Sequence, residues 1–195
     1  DAGFPSMVNY TFMALWMDYN RDLFPDLFVL NDRYDVPNYF YHNNGDGTFT
    51  EISQSANLKD FIWSMTATAD DYDNDGDLDI YITNGPEGNL HKQNNGDGTF
   101  TNVEEYVGTE INHFCWSAQF VDLNRDGWQD LHVCSTPIGT LEGENVALVY
   151  DGAVFLDSTE VAGIANDKGW SRSSGVGDIN NDGLADMVDR KSTRL

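Results

Sequence analysis

Four stretches of this chain set oxygen-bearing side chains two residues apart, the spacing with which a loop wraps a hard cation. They run over residues 18–26, 71–79, 122–130 and 178–186, each a variant of Asp-x-Asp/Asn-x-Asp-Gly-x-x-Asp. Calcium takes six to eight oxygens in a flexible shell, and acidic or amide residues at loop positions 1, 3 and 5 turn three side chains toward one centre. Glycine at position 6 allows a sharp bend, position 7 offers its backbone carbonyl, and the Asp at position 9 closes the shell. The candidate ligands are Asp18, Asn20, Asp22 and Asp26; Asp71, Asp73, Asp75 and Asp79; Asp122, Asn124, Asp126 and Asp130; and Asp178, Asn180, Asp182 and Asp186. Position 7 of the last three loops adds the carbonyls of Asp77, Trp128 and Leu184. The expected cofactor is Ca2+, three to four ions per chain.

Two carboxylates 4 Å apart repel by about 4 kcal/mol at an effective dielectric near 20, so loops this acidic require a counter-charge. Magnesium prefers a tight octahedron with several waters, and zinc would want Cys and His. An EF-hand shares the opening pattern but needs a bidentate acid at position 12, where Val29, Ile82 and Val133 stand; Asp189 alone fits. The first copy departs from the pattern, with Leu23 in the glycine position and Pro25 two residues on. Asp46 and Asp97 read as turn residues.

The loops start at residues 18, 71, 122 and 178, giving intervals of 53, 51 and 56 residues, a period that suits a four-stranded propeller blade. Apolar runs such as 12–17 and 114–121 lead into the loops, and alternating runs such as 78–82 leave them, so each loop joins two strands. Between loops, residues 38–49 return as 89–100, both ending in Asn-Gly-Asp-Gly-Thr-Phe, a hairpin signature; Asp151-Gly152 is the third, worn copy. One period is therefore four strands. The spacing predicts an all-β chain, a segment of propeller of about three and a half blades. The blades fall near residues 10–58, 62–109, 113–164 and 168–195, with a calcium loop between the first two strands of each. Residues 137–144 lengthen one connection of the third blade. Because propellers close with about four to eight blades, the chain is expected to be part of a larger protein.

Composition narrows the partners. A formal charge of −23 with only ten Lys and Arg repels phosphate backbones and anionic headgroups, which argues against nucleic acid. No apolar run approaches the roughly 20 residues that span a bilayer, so direct membrane insertion is not expected. The content of 40% hydrophobic and 13% aromatic residues supports a packed core rather than an acidic tail. Cys115 and Cys134 fall on adjacent strands of one blade, where either a disulfide or two buried thiols is compatible with the spacing. Residues 9–11 match a glycosylation sequon.

The loop, the Asn-Gly-Asp-Gly-Thr-Phe turn and the preceding Trp together resemble the VCBS and FG-GAP-like repeats of integrin-α-type propellers. The closest resemblance is to the cartilage acidic protein (ASPIC/UnbV) group, residues 71–79 matching almost completely. The literal Phe-Gly and Gly-Ala-Pro elements are lacking, and Tyr10 stands where later copies have Trp63 and Trp170. The resemblance implies calcium in the loop joining a blade's first two strands. It also implies an extracellular, periplasmic or cell-surface setting, and a role in recognition or adhesion.

The loops are near-identical and rich in protein ligands, whereas a catalytic metal keeps an open position. The first functional reading is thus a secreted, non-enzymatic recognition module with structural calcium. Its protein or glycan ligand would sit on the face opposite the loops, at residues 31–37, 84–88 and 135–144. The alternative is the propeller part of a secreted polysaccharide-degrading lyase or hydrolase, to which His42, His91, His113 and His132 lend little, since they share no repeat position. Trp63, Trp116 and Trp170 are expected to open the first strand of their blades and pack between blades rather than to stack sugars.

Overall fold

The computed structural model describes residues 2, 4, 10–136, 143–164 and 170–192. Strands form wherever an apolar or β-branched run lies between two turns. The first sheet is β1 (Thr11–Met17), β2 (Asp26–Asn31), β3 (Tyr39–Asn43) and β4 (Phe49–Glu51); the second is β5 (Ala67–Asp70), β6 (Asp79–Ile82), β7 (Leu90–Asn94) and β8 (Phe100–Asn102). The third is β9 (Phe114–Val121), β10 (Asp130–Thr136), β11 (Val146–Tyr150) and β12 (Phe155–Asp157), and β13 (Trp170–Gly177) pairs with β14 (Asp186–Ser192). Every sheet is an antiparallel meander in chain order. The described residues thus form three complete four-stranded blades and a two-stranded one, without closing a ring.

The meander puts both hairpins of a blade at one end. The acidic loop joins the first strand to the second and the Asn-Gly turn joins the third to the fourth, so both share a face. In that turn Asp46 and Asp97 accept the N–H of Thr48 and Thr99 at 2.9 and 3.0 Å, acting as turn residues. A short helix, α1 (Glu104–Val107), which the spacing did not indicate, leads out of the second blade and is ended by Gly108 at φ 80°.

Blades pack face to face, and the core lies between them. Phe28, Leu30 and Phe40 of the first blade meet Ala67, Ile80 and Ile82 of the second; Tyr72 and Tyr81 of the second meet Leu131, Val133 and Tyr150 of the third. Connectors seal the seams. Lys92, 1% exposed, extends from β7 to the Asp60 carboxylate at 2.9 Å and the Asn57 carbonyl at 3.0 Å, both on the segment joining the first two blades. Burial pushes the Asp60 carboxyl up, against the pull of Lys92.

The tryptophans depart from expectation. Trp63 precedes β5 and makes an isolated bridge with Asp32, and Trp116 lies inside β9 because that strand begins two residues earlier; Trp170 does open β13. Cys115 and Cys134 are both buried and form no disulfide, and burial drives the Cys115 thiol up to about 12, which leaves it inert. Most of the long connection expected at 137–144 lies outside the described residues.

Candidate metal centre

Each acidic loop is held by its own side chains before any ion is considered. The position 1 carboxylate accepts N–H groups from the far side of the loop: Asp18 from Asp22 and Leu23, Asp71 from Gly76, Asp122 from Asp126 and Gly127, and Asp178 from Asp182 and Gly183. Position 3 accepts from the N–H of position 5, and position 5 from the N–H of position 7, in all four copies. These local bonds curl the chain so that positions 1, 3 and 5 lie on its inside.

Position 9 has a second duty. One oxygen of Asp26, Asp79 and Asp130 accepts the N–H of Asn43, Asn94 and Tyr150 at 2.8, 2.8 and 2.9 Å, pinning the loop to the third strand of its blade. All three are wholly buried. The other oxygen takes the N–H of position 2 in three loops: from Tyr19 at 3.4 Å, Leu123 at 2.8 Å and Ile179 at 2.8 Å.

The second loop differs. Carboxylate oxygens of Asp71, Asp73 and Asp79 converge to within 4.8 Å of one another, the one such acidic group among the described residues. Asp71 Oδ1 and Asp79 Oδ2 are buried without a well-formed hydrogen bond, the Tyr72 N–H being the donor that faces Asp79. Burial pushes the Asp79 carboxyl up to about 8, with the charges of Asp73 and Asp75 adding to the rise and the N–H groups of Asn94 and Tyr72 opposing it. Asp73 is raised by the same two causes, burial first and then Asp75. An oxygen-only set with one wholly buried and two half-buried carboxylates fits a hard divalent cation better than it fits vacant protein. In the other loops Asn20, Asn124 and Asn180 replace one carboxylate, lowering the charge while keeping an oxygen. Burial also raises Asp26 and Asp130.

The first loop reaches the same shape without glycine. Leu23 sits at φ 72°, where Gly76, Gly127 and Gly183 sit at φ 93°, 89° and 80°, and it is 85% exposed. The left-handed conformation costs a side-chain residue about 1–2 kcal/mol, against which glycine loses about 0.5–1 kcal/mol of backbone entropy. Leu23→Gly should therefore stabilise the chain by about 0.5–1 kcal/mol, read as a rise of about 2 °C in unfolding temperature.

Two loop positions that the metal pattern passes over join blade to blade. The position 2 aromatics plug the following blade: Tyr19 packs at 6.3 Å on Phe100, and Tyr72 packs at 5.2 and 5.6 Å on Tyr150 and Phe155. Asn94, at the end of β7, donates to the Tyr19 carbonyl at 2.9 Å. Position 4 is left-handed in every loop, with Arg21, Asn74, Arg125 and Asn181 at φ 60°, 57°, 65° and 62°, which turns its side chain away from the loop. A non-glycine residue in this conformation at a fixed repeat position was the available sequence signal, since Asn is enriched there.

No curated protein matches the chain. The model of the FG-GAP-like repeat matches residues 18–82 and again 71–133, each match running from one acidic loop through the strand that follows the next. These overlapping matches cover more than half of the chain and fall on the loop-and-blade unit described above, and the chain belongs to the FG-GAP-like repeat family.

Proposed function

We propose that this chain is a calcium-stapled propeller module for recognition or adhesion, with structural ions in its acidic loops and its ligand-binding surface on the opposite face. The observation that supports it most is the second loop, where a carboxylate oxygen of wholly buried Asp79 lies within 4.8 Å of carboxylate oxygens of Asp71 and Asp73. Calcium there would take oxygens from Asp71, Asp73, Asp75 and Asp79 and the Asp77 carbonyl. The other loops would hold it through their equivalent residues. The ion neutralises the carboxylates; the protein's own hydrogen bonds shape the loop and tie it to β7. Sites of this type with dissociation constants near 10⁻⁴ M fill outside cells and not in cytosol, which favours an extracellular, periplasmic or cell-surface location. The ASPIC/UnbV group remains part of this reading as the subfamily.

The face away from the loops carries features suited to a protein or glycan partner. Tyr34 stacks on Trp63 with ring centroids 4.9 Å apart, and its hydroxyl is pushed up to about 12, first by burial and then by its hydrogen bond to Glu87. On the third blade the same face opens a cavity of about 520 Å³ lined by His113, Glu144, Asn145 and Thr159. FG-GAP-like repeats are typically non-catalytic, and no nucleophile–base pair is found around this cavity among the described residues. The enzyme alternative, a polysaccharide lyase or hydrolase, rests on the ability of a bound calcium to neutralise a uronate carboxylate. Tyr34→Ala should lower partner binding about tenfold with calcium uptake unchanged, as measured by an immobilised glycan and protein panel alongside a calcium titration. Depolymerisation of an acidic polysaccharide by the pure chain would replace this reading with the enzymatic one.

A further inference from the structure

The position 4 side chains reach out of their own loops and into the next blade's. Asn74 of the second loop donates through Nδ2 to the carbonyl of Gly127 in the third at 3.2 Å. Arg125 of the third donates through Nη2 to the carbonyl of Gly183 in the fourth at 2.6 Å. Arg21 of the first meets the Asp77 carboxylate of the second at 2.5 Å. Two of the three contacts fall on the position 6 carbonyl and the third on the position 7 side chain, so all three bear on the short segment that carries the position 7 carbonyl. The fit extends to the glycines: a Cβ on Gly76 would stand 3.2 Å from the Arg21 guanidinium, and one on Gly183 would stand 3.4 Å from that of Arg125.

Resting on the calcium reading above, we infer that position 4 is a positioning residue for the metal loop of the following blade, and that adjacent loops therefore bind calcium cooperatively. The physical basis is shared ordering. A loop whose carboxylates are drawn onto an ion holds its left-handed position 4 in one conformation, and that side chain then fixes the 6–7 peptide of its neighbour. The second ion finds part of its ordering cost already met. Coupling of this kind is commonly worth a factor of 5 or more in affinity. Because the contacts run from each loop to the next in chain order, removing one site should weaken the next through a single side chain.

The second and third loops allow a direct test. Trp128 occupies position 7 of the third loop, packed against Tyr150 at 5.6 Å, so its indole can sensitise terbium bound there. In a Trp16→Phe background, which removes the indole close to the first loop, terbium emission excited through tryptophan reports the third site. Asp75→Ala, at an exposed position of the second loop, disables the second site, and Asn74→Ala removes the contact. Each is expected to weaken terbium binding at the third loop about fivefold, with the double variant no weaker than either. Additive losses, or no loss from Asn74→Ala, would overturn the coupling while leaving the metal sites in place. Failure of terbium and calcium to bind the parent chain at all would instead remove the underlying calcium reading. Unfolding temperatures of the metal-free variants should fall by no more than about 4 °C, because both side chains are exposed and alanine at the left-handed position 74 is only mildly strained.

Discussion

Asp79→Asn should stabilise the metal-free protein and destabilise the calcium-loaded one. In the metal-free chain the Asp79 carboxyl is held near 8 in the fold against 3.8 for the free group, with burial the main cause. The sign follows from linkage: a carboxyl with a raised folded value contributes no penalty below pH 4, and stability is lost as pH rises through 8. At neutral pH that penalty is on the order of 4 kcal/mol, because every pH unit above the free group's value costs about 1.4 kcal/mol. An Asn side chain removes it, retains an oxygen for the Asn94 N–H, and offers its amide to the unpartnered Asp71 Oδ1. We expect a gain of about 2 kcal/mol for the metal-free variant at pH 7. With calcium present the ion takes the place of the proton, and the variant should lose the second site and about 2 kcal/mol relative to wild type. Chemical denaturation in chelator and in millimolar calcium measures both arms. Destabilisation in both conditions would mean that the Asp79 carboxylate is compensated in the metal-free fold.

The second large effect is at His91, and it runs in the opposite direction with pH. His91 is fully buried beneath Tyr72, Tyr81 and Phe155, with Nδ1 3.2 Å from the Thr109 hydroxyl and Nε2 without a partner. Burial drives it from 6.5 down to about 3. A histidine with a depressed folded value leaves stability intact above pH 6.5 and erodes it as pH falls toward 3, because only the unfolded chain takes the proton. His91→Phe keeps the aromatic volume and removes the titration. At pH 7.5 the variant should stay within about 1 kcal/mol of wild type, the cost of the lost Thr109 contact. Below 6.5 it should gain on wild type by about 1.4 kcal/mol per pH unit, reaching about 3 kcal/mol by pH 4. Measuring in chelator separates this slope from acid release of calcium. A variant-minus-wild-type difference that stays flat from pH 7.5 to 4 would show that the ring is hydrated in the native state.

Much of this architecture is legible in the residues because the repeat states it several times over. The 51- to 56-residue period, the acidic loop and the Asn-Gly-Asp-Gly-Thr-Phe turn each specify local backbone geometry, and local geometry is what sequence spacing encodes best. Leu23 shows where the reading by type falls short. A glycine position filled by leucine looks like a broken loop, yet the surrounding N–H bonds to Asp18 hold it at positive φ. Contacts between repeats were harder to foresee. The loop spacing says nothing of Tyr19, Tyr72, Arg21, Asn74 or Arg125, because their partners lie one whole blade away. The distinct character of the second loop lies in the convergence of Asp71, Asp73 and Asp79, and the pattern Asp-x-Asp-x-Asp does not say how closely its carboxylates meet. Trp63 was misplaced for a related reason: its bridge to Asp32 belongs to the seam between blades, not to the strand that follows it.

Metal as the staple of these hairpins is the central claim. Its most direct test is a calorimetric titration of the decalcified chain with calcium and then with magnesium, followed by thermal unfolding at each end point. Three or four calcium ions per chain are expected, each contributing about 1.4 kcal/mol at tenfold excess over its dissociation constant, with a rise of several degrees in unfolding temperature and a much weaker response to magnesium. A folded chain that takes up no calcium, or that takes it up without any change in unfolding temperature, would contradict that claim.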